Sequence, residues 1–546
     1  MRGLMQQVPL TLRMVLERAA TLHPSKTVMT KTSDGFHRET YGELAERVAR
    51  LASALAELGV RPGDRVATVA WNSYRHLELY LAVPCMGAVL HTLNIRLQPD
   101  QLSYIANHAE DQIVFVDASL SAAWQKVVGL ATVREVVWMD DVEGVGMVDD
   151  GLDYGELVAG GSPDFAWPRL DENDAAAMCY TSGTTGSPKG VVYTHRSSVL
   201  HSLALLFADS LALRERDVCL PIVPQFHANA WGTPYGSLLA GASLAMTGRF
   251  MDAVSVSQLV AEAGVTVSVA VPTVWFGVLQ AIKSGQVAPS ALSMLERIAC
   301  GGAAVPEALM RGYDELGIRI LHAWGMTETS PVGTFAAVKS TVPSDQVLRT
   351  RLTQGIALPT LKVRHVDDTG EVQPWDGESM GELQITGPWI ADAYYDPSAP
   401  DGRGGLDRFY DDEAGNRWLK TGDVAVIDSE GYVRLVDRIK DLVKSGGEWI
   451  STVELENLLM AHPKVTEAAV IAVGHPKWGE RPLACVVSAD GAVTKEELIE
   501  HLAGHLAKWQ LPDDVVFVDE VPKTSVGKFD KKVLRDRYAD YQLPTR

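Results

Sequence analysis

Residues 180–190 read YTSGTTGSPKG, a stretch of small hydroxyl side chains, glycines, one proline and one lysine. Glycine lets a backbone take positive φ and approach a ligand closely, and successive N–H groups in such a turn form an anion-binding concavity. The hydroxyls of Thr181, Ser182, Thr184 and Thr185 can donate to phosphate oxygens, Gly183 and Gly186 supply the freedom, and Lys189 adds a point charge. The chemistry expected of such a loop is a grip on phosphate oxygens. It is not the G-x-x-x-x-G-K-[ST] loop, because this lysine follows proline and precedes glycine. A polar hairpin turn shares the composition, so the string alone leaves both readings standing.

The flanking elements would hold such a loop. An apolar strand, AAAMCY at 175–180, precedes it; a second, VVY at 191–193, follows, then a helix, SSVLHSLALLFA. Upstream, Thr40-Tyr-Gly-Glu43 is a capping box ahead of an amphipathic run through Leu44, Val48, Leu51, Leu55 and Leu58, stopped by Gly59. Strands are expected at 64–72 and 112–116, with a helix over 101–107. Such alternation predicts sheets covered by helices. The boundary is expected near Asp437, after the strand GYVRLVD, with capping boxes at Ser451 and Thr494 and strands EAAVIAVG and LACVVSA beyond it. The division expected is 1–436 for a large lobe, 437–442 for a hinge and 443–546 for a compact α+β lobe.

The 546 residues are 46% hydrophobic and 22% charged, ordinary for a globular protein. With 49 basic and 69 acidic residues the net charge is −20, which argues against a nucleic-acid footprint. From Asp437 onward the balance is only −3, from 15 basic and 18 acidic residues, so this end is the more hospitable to an anionic ligand. Five dispersed cysteines without a CxxC pair suit a reducing compartment. No apolar run approaches the ~20 residues of a membrane span, and the N-terminal stretch lacks a secretory apolar region. A cytoplasmic protein is expected; a homodimer is left open.

Further strings follow in order: VPQFHANAWG (223–232), GGAAVP (301–306), HAWGMTETSP (322–331), GELQITG (381–387), KTGD (420–423), DRIKD (437–441), KSGGEWIS (444–451) and PKTSVGK (522–528). Together with the opening loop they resemble the adenylate-forming superfamily of acyl-CoA synthetases, luciferases and peptide-synthetase adenylation domains. GAVLHTLNIRL, NHAED, HPKWGERPL and AKWQLPD look most like bacterial medium- and long-chain fatty acyl-CoA synthetases. The resemblance implies a large N-terminal α/β lobe with a small β-rich subdomain, and a small mobile C-terminal α+β lobe. It implies ATP, Mg²⁺ and coenzyme A acting on a small carboxylic acid, which is first adenylated and then passed to the thiol.

By that resemblance Lys528 would bridge the carboxylate and α-phosphate, and Glu328 with Thr184 would meet Mg²⁺. The loop from Thr181 to Lys189 would hold phosphates. Trp324 would stack on adenine, with the Gly301–Ala304 backbone, Gly302 and Ala303 included, at its other side and His322, Ala323, Gly325, Met326 and Thr327 around it. Asp423 and Arg438 would meet the ribose and phosphates. Lys440 matches the pivot of the small lobe, and Gly446, Gly447, Glu448 and Trp449 would border the thiol path. Phe226, His227, Trp231 and Trp275 would form the acyl pocket, with Trp231 as its gate. Ordinary roles stand beside these: a core tryptophan, a turn aspartate, a solvated lysine. FHANAW holds no acidic partner for an amino acid's α-amine, so an apolar tail is expected. A short methylthio, branched or aryl acid on the same fold is the nearest alternative. Loading of a carrier protein, a non-catalytic binding protein and a luciferase-like oxygenase lie further off.

Overall fold

The structure, a computed structural model, describes residues 1, 3–140, 151–181, 188–446, 448–489, 493–523 and 529–544. Two nine-stranded sheets with parallel centres dominate it. In one, Ala175–Tyr180 pairs in parallel with Val89–Thr92 and antiparallel with Gly190–Thr194, so the strands flanking the 180–190 stretch are neighbours in that sheet. In the other, Arg297–Gly301 and Arg319–Gly325 run in parallel beside Val267–Ala270. Parallel strands need crossovers, and the helices that supply them cover the sheet faces. The largest buried cluster packs Leu44, Leu51, Leu55, Leu77 and Tyr80 with Val191, Tyr235 and Leu383.

Local signals fix the helices. Thr40 accepts from the Glu43 N–H and Glu43 returns to the Thr40 N–H, so the helix Tyr41–Glu57 starts with both bonds of its capping box. Ser451 and Thr494 also accept at their helix starts, but Glu497 turns to Lys464 Nζ at 2.9 Å instead of closing a box. The expected strands at 64–72 and 112–116 are Arg65–Val69 and Asp111–Asp117, and the helix over 101–107 is Pro99–Ala109. The helix after the loop is shorter than its apolar run, His195–Ala204, because Leu205 onward turns to cover the core.

A third, antiparallel sheet of five strands includes Gly381–Thr386, Arg417–Ile427 and Val433–Arg438. It places Asp423 opposite Arg438 across two adjacent strands. A fourth sheet begins at Val443–Ser445, with Val465–His475 and Gly479–Ser488 as its long pair. The helices Thr452–Ala461 and Lys495–Ala503 pack on it over their own core of Leu455, Leu459, Val470, Leu498 and Val515. Large α/β and small α+β parts are both present. Among the described residues no helix is long and apolar enough to cross a membrane.

Candidate active site

Strand ends and the turns that follow them meet around a cavity of about 600 Å³. Thr181 and Lys189 line it at the mouth of the hairpin, where the Thr181 N–H donates to the Lys189 carbonyl at 2.9 Å. Ser182, Gly183, Thr184, Thr185 and Gly186 lie outside the described residues. Lys189 Nζ rests 4.8 Å from the ring centre of Tyr394. The Tyr394 hydroxyl donates to Glu328 Oε1 at 2.5 Å.

Glu328 is held from several directions. Its carbonyl accepts from the Ala391 N–H at 2.8 Å, and the preceding Thr327 carbonyl accepts from the Tyr193 hydroxyl at 2.8 Å. Its carboxylate lies on the cavity wall although the residue is 95% buried, at 5% exposure. Downstream, the Val332 N–H donates to His201 Nε2 at 3.1 Å. Burial pushes the His201 pKa down to about 3, so its ring stays neutral and keeps that lone pair available.

A buried carboxylate that accepts from Tyr394, on a wall shared with Lys189, suits Mg²⁺. That cation takes one or two protein oxygens and completes its shell with phosphate and water. Among the described residues no cluster of three or more His, Cys, Asp or Glu could hold a metal by itself.

A second polar group combines Trp324, Asp423 and Arg438. Trp324 Nε1 donates to Asp423 Oδ2 at 2.9 Å, and Arg438 Nε lies 3.2 Å from Asp423 Oδ1. The indole lies close on Gly333, where a Cβ would come within 2.8 Å of Trp324 Cζ3. Gly302, Ala323, Trp324, Gly325 and Arg438 are shared with an adjoining cavity of about 250 Å³, whose wall also includes Ala303, His322 and Asp423. Phe529 and Lys531 line that second cavity too. Lys531 Nζ pairs with Glu456 Oε1 at 2.7 Å and donates to Thr452 Oγ1, whose N–H donates to Asp437 Oδ2 at 2.7 Å. Lys528 lies outside the described residues. Met326, Thr327 and Lys440 line the first cavity, and burial draws the Lys440 pKa down.

The other end of the first cavity is apolar: Ile222, Val223, Pro224, Trp231, Met251, Ala270, Val271 and Val274, with His227 among them. Trp231 belongs to a left-handed turn in which five successive residues, Ala228 to Gly232, have φ between 43° and 71°. Four are not glycine, a conformation costing about 1–2 kcal/mol each. Buried partners hold it: Thr233 Oγ1 donates to the Ala230 carbonyl at 2.6 Å, and Tyr80 donates to the Gln225 carbonyl just upstream. Gly232 faces the His201 ring so closely that a Cβ would lie 2.5 Å from Nδ1.

Two expected pocket residues are not on this wall. Trp275 is fully buried in a separate core, its ring 5.8 Å from Tyr313. The helix Pro272–Lys283 rotates about 100° per residue, so Thr273 and Val274 face the cavity and Trp275 faces the core. Phe226 is likewise buried away from the wall. Sequence reasoning missed Arg96, Met251, Glu382, Tyr394 and Arg408, all on the wall. The run NIRL held Arg96 in view, and AYYDP offered Tyr394 only as an aromatic pair before a turn.

At the expected thiol path, Gly446 has φ of 62°, donates its N–H to the Trp478 carbonyl at 2.8 Å, and lies under that indole. Lys444 Nζ stands 4.1 Å over the Trp449 ring. Gly447 lies outside the described residues, and of Glu448 only the backbone, in Glu448–Ile450, is described.

The family model described as AMP-binding enzyme matches residues 16–395, and that described as AMP-binding enzyme C-terminal domain matches 454–528. A long-chain-fatty-acid–CoA ligase of Thermus thermophilus is 46% identical, over 96% of this chain and 95% of the relative. A 3-methylmercaptopropionyl-CoA ligase of Ruegeria lacuscaerulensis is 43% identical over 99% of both chains. The solved structure of ATP-bound MatB from Rhodopseudomonas palustris superposes with a TM-score of 0.81 at 30% identity, covering 97% of this chain and 99% of that one.

Proposed function

The chain belongs to the AMP-binding enzymes, and from that premise we propose that it is an ATP-dependent fatty acyl-CoA synthetase for medium- to long-chain acids. One observation carries the reading: the cavity that joins an apolar wall to Lys189, Tyr394 and Glu328 also takes in Trp324 and Arg438, which hold Asp423 on the wall of the adjoining cavity. A carboxylate oxygen attacks the α-phosphorus of ATP, and the bond to the bridging oxygen breaks to release pyrophosphate. The coenzyme A sulfur then attacks the acyl carbon, and AMP leaves.

The apolar wall would orient the tail and exclude water. Asp423 would accept from the ribose hydroxyls, Trp324 would face adenine, and Lys189 and Lys528 would meet the phosphates. Bound at Glu328, Mg²⁺ would supply charge neutralisation of the phosphate oxygens. The five cysteines are free and buried, in keeping with a cytoplasmic setting.

Each methylene buried on the apolar wall is worth ~0.8 kcal/mol, roughly fourfold in KM. Pyrophosphate release over alkanoates of increasing length is therefore expected to show KM falling stepwise, with AMP and acyl-CoA formed once coenzyme A is added. Formation of ADP would sink the adenylate reading. The relative acting on 3-methylmercaptopropionate supports a second reading, a short sulfur-bearing acid in the same pocket. A KM lowest for that acid and rising with chain length would select it.

The hinge proposed at 437–442 gives a further expectation. Lys440 would be the pivot on which the small lobe, 443–546, exchanges a lysine-in arrangement for one that brings Gly446 and Gly447 to the thiol. Lys440→Pro fixes φ, and is expected to slow thioester formation about tenfold more than adenylation. Stopped-flow rates of the two half-reactions check this; equal slowing would remove the pivot.

A further inference from the structure

Tyr394 joins the two charged groups at the phosphate end of the cavity. It belongs to the short strand Tyr394–Tyr395, whose Tyr395 pairs with Gly190, the residue after Lys189. On the other side Tyr394 pairs with Gly404, and its ring presses on Gly405 so tightly that a Cβ there would lie 2.4 Å from Tyr394 Cδ2. The ring is 4% exposed. Its orientation is therefore fixed by backbone on two sides. From that position the hydroxyl reaches Glu328, 66 residues away in sequence, and the ring approaches Lys189 Nζ.

We propose that Tyr394 is a positioning residue for the adenylation step. Its hydroxyl fixes the Glu328 carboxylate so that Oε2 is left to meet the divalent cation, and its ring keeps the Lys189 ammonium at the cavity wall until nucleotide phosphates arrive. This rests on the ligase reading, in which Glu328 meets the cation. Carboxylate ligands are commonly oriented by such outer partners, whose loss costs 10- to 100-fold in metal affinity. An ammonium over a tyrosine face is attracted by the ring quadrupole. Among the described residues Lys189 makes no ion pair that ATP would have to break.

Two substitutions separate the halves. Tyr394→Phe keeps the ring and removes the hydroxyl; Tyr394→Leu removes both. Binding of Mn²⁺ to the full chain with ATP and no acid, followed by electron paramagnetic resonance, is expected to shift its midpoint about tenfold upward in both variants. The KM for ATP is expected to rise about threefold further in Tyr394→Leu than in Tyr394→Phe. The KM for the acid should stay within twofold of the parent in both. Midpoints and KM values do not depend on the folded fraction, and Tyr395→Phe on the same strand reports any general damage to it. A Tyr394→Phe midpoint equal to that of the parent overturns the carboxylate role. A Tyr394→Leu KM for ATP equal to that of Tyr394→Phe overturns the lysine role. Parent protein that releases no pyrophosphate with any acid would defeat the ligase reading, while the Mn²⁺ titration would still decide this one.

Discussion

Lys528→Ala is expected to lower acyl-adenylate formation by about 100- to 1,000-fold, the usual cost of removing one group that stabilises transition-state charge. Thiolysis of supplied acyl-adenylate should stay within a few fold of the parent rate. The asymmetry follows from the charges. In the first step a carboxylate approaches an anionic phosphate, and an ammonium placed between them stabilises what grows there. In the second step a thiolate meets a neutral acyl carbon, and the pyrophosphate has gone. The described residues on either side of 524–528 lie beside the Trp324–Asp423 group. Lys523 and Phe529 form a bridge, the Asp530 N–H donates to the Pro522 carbonyl at 2.7 Å, and Phe529 and Lys531 line the second cavity with Trp324 and Asp423. Pyrophosphate exchange and single-turnover thiolysis measure the two steps separately. Equal losses in both would remove Lys528 from the role.

Asp423→Ala is expected to raise the KM for ATP about 10- to 100-fold and, unlike Lys528→Ala, to impair both half-reactions. Acyl-adenylate carries the same ribose, so a ribose contact is used twice. The carboxylate also holds two neighbours, accepting from Trp324 Nε1 through Oδ2 and facing Arg438 through Oδ1. Alanine would leave the indole N–H buried and unpaired, at a cost of about 1–3 kcal/mol. That cost falls on the fold whether nucleotide is bound or not; the rise in KM comes from the lost hydrogen bonds between the carboxylate and the ribose, worth about 1.5–3 kcal/mol or roughly one to two decades of affinity. Asp423→Asn keeps the shape and an acceptor, and should lie between the two. If supplied acyl-adenylate were thiolysed by Asp423→Ala at the parent rate and KM, the carboxylate would have no part in holding the ribose.

Much of the chain's architecture could be read from short-range pattern. AAAMCY is the strand Ala175–Tyr180, and Thr40 with Glu43 closes its capping box, because strand alternation and N-terminal caps are decided within a few residues. The contacts that shape the site are of another kind. Tyr394 meets Glu328 across 66 residues and Trp324 meets Asp423 across 99. Nothing local in AYYDP says that one ring will lie between a lysine and a carboxylate. Trp275 shows the opposite failure. It stands one position from Val274, which does face the cavity, and a single helical step turned it into the core. Motif resemblance could name a region of pocket but could not choose the face of a helix.

The left-handed turn at residues 228–232 constrains how the acid preference can be re-engineered. Its four non-glycine residues hold an unfavourable conformation at about 4–8 kcal/mol in total, against anchors already spent on that shape. Bulkier or β-branched replacements at Ala228 or Ala230 would add to a debt the anchors must carry, so this wall has little mutational latitude. Val274, on a regular helix, and Met251, outside the turn, carry no such backbone penalty. A library aimed at longer, shorter or branched tails should be built there, leaving the turn as inherited.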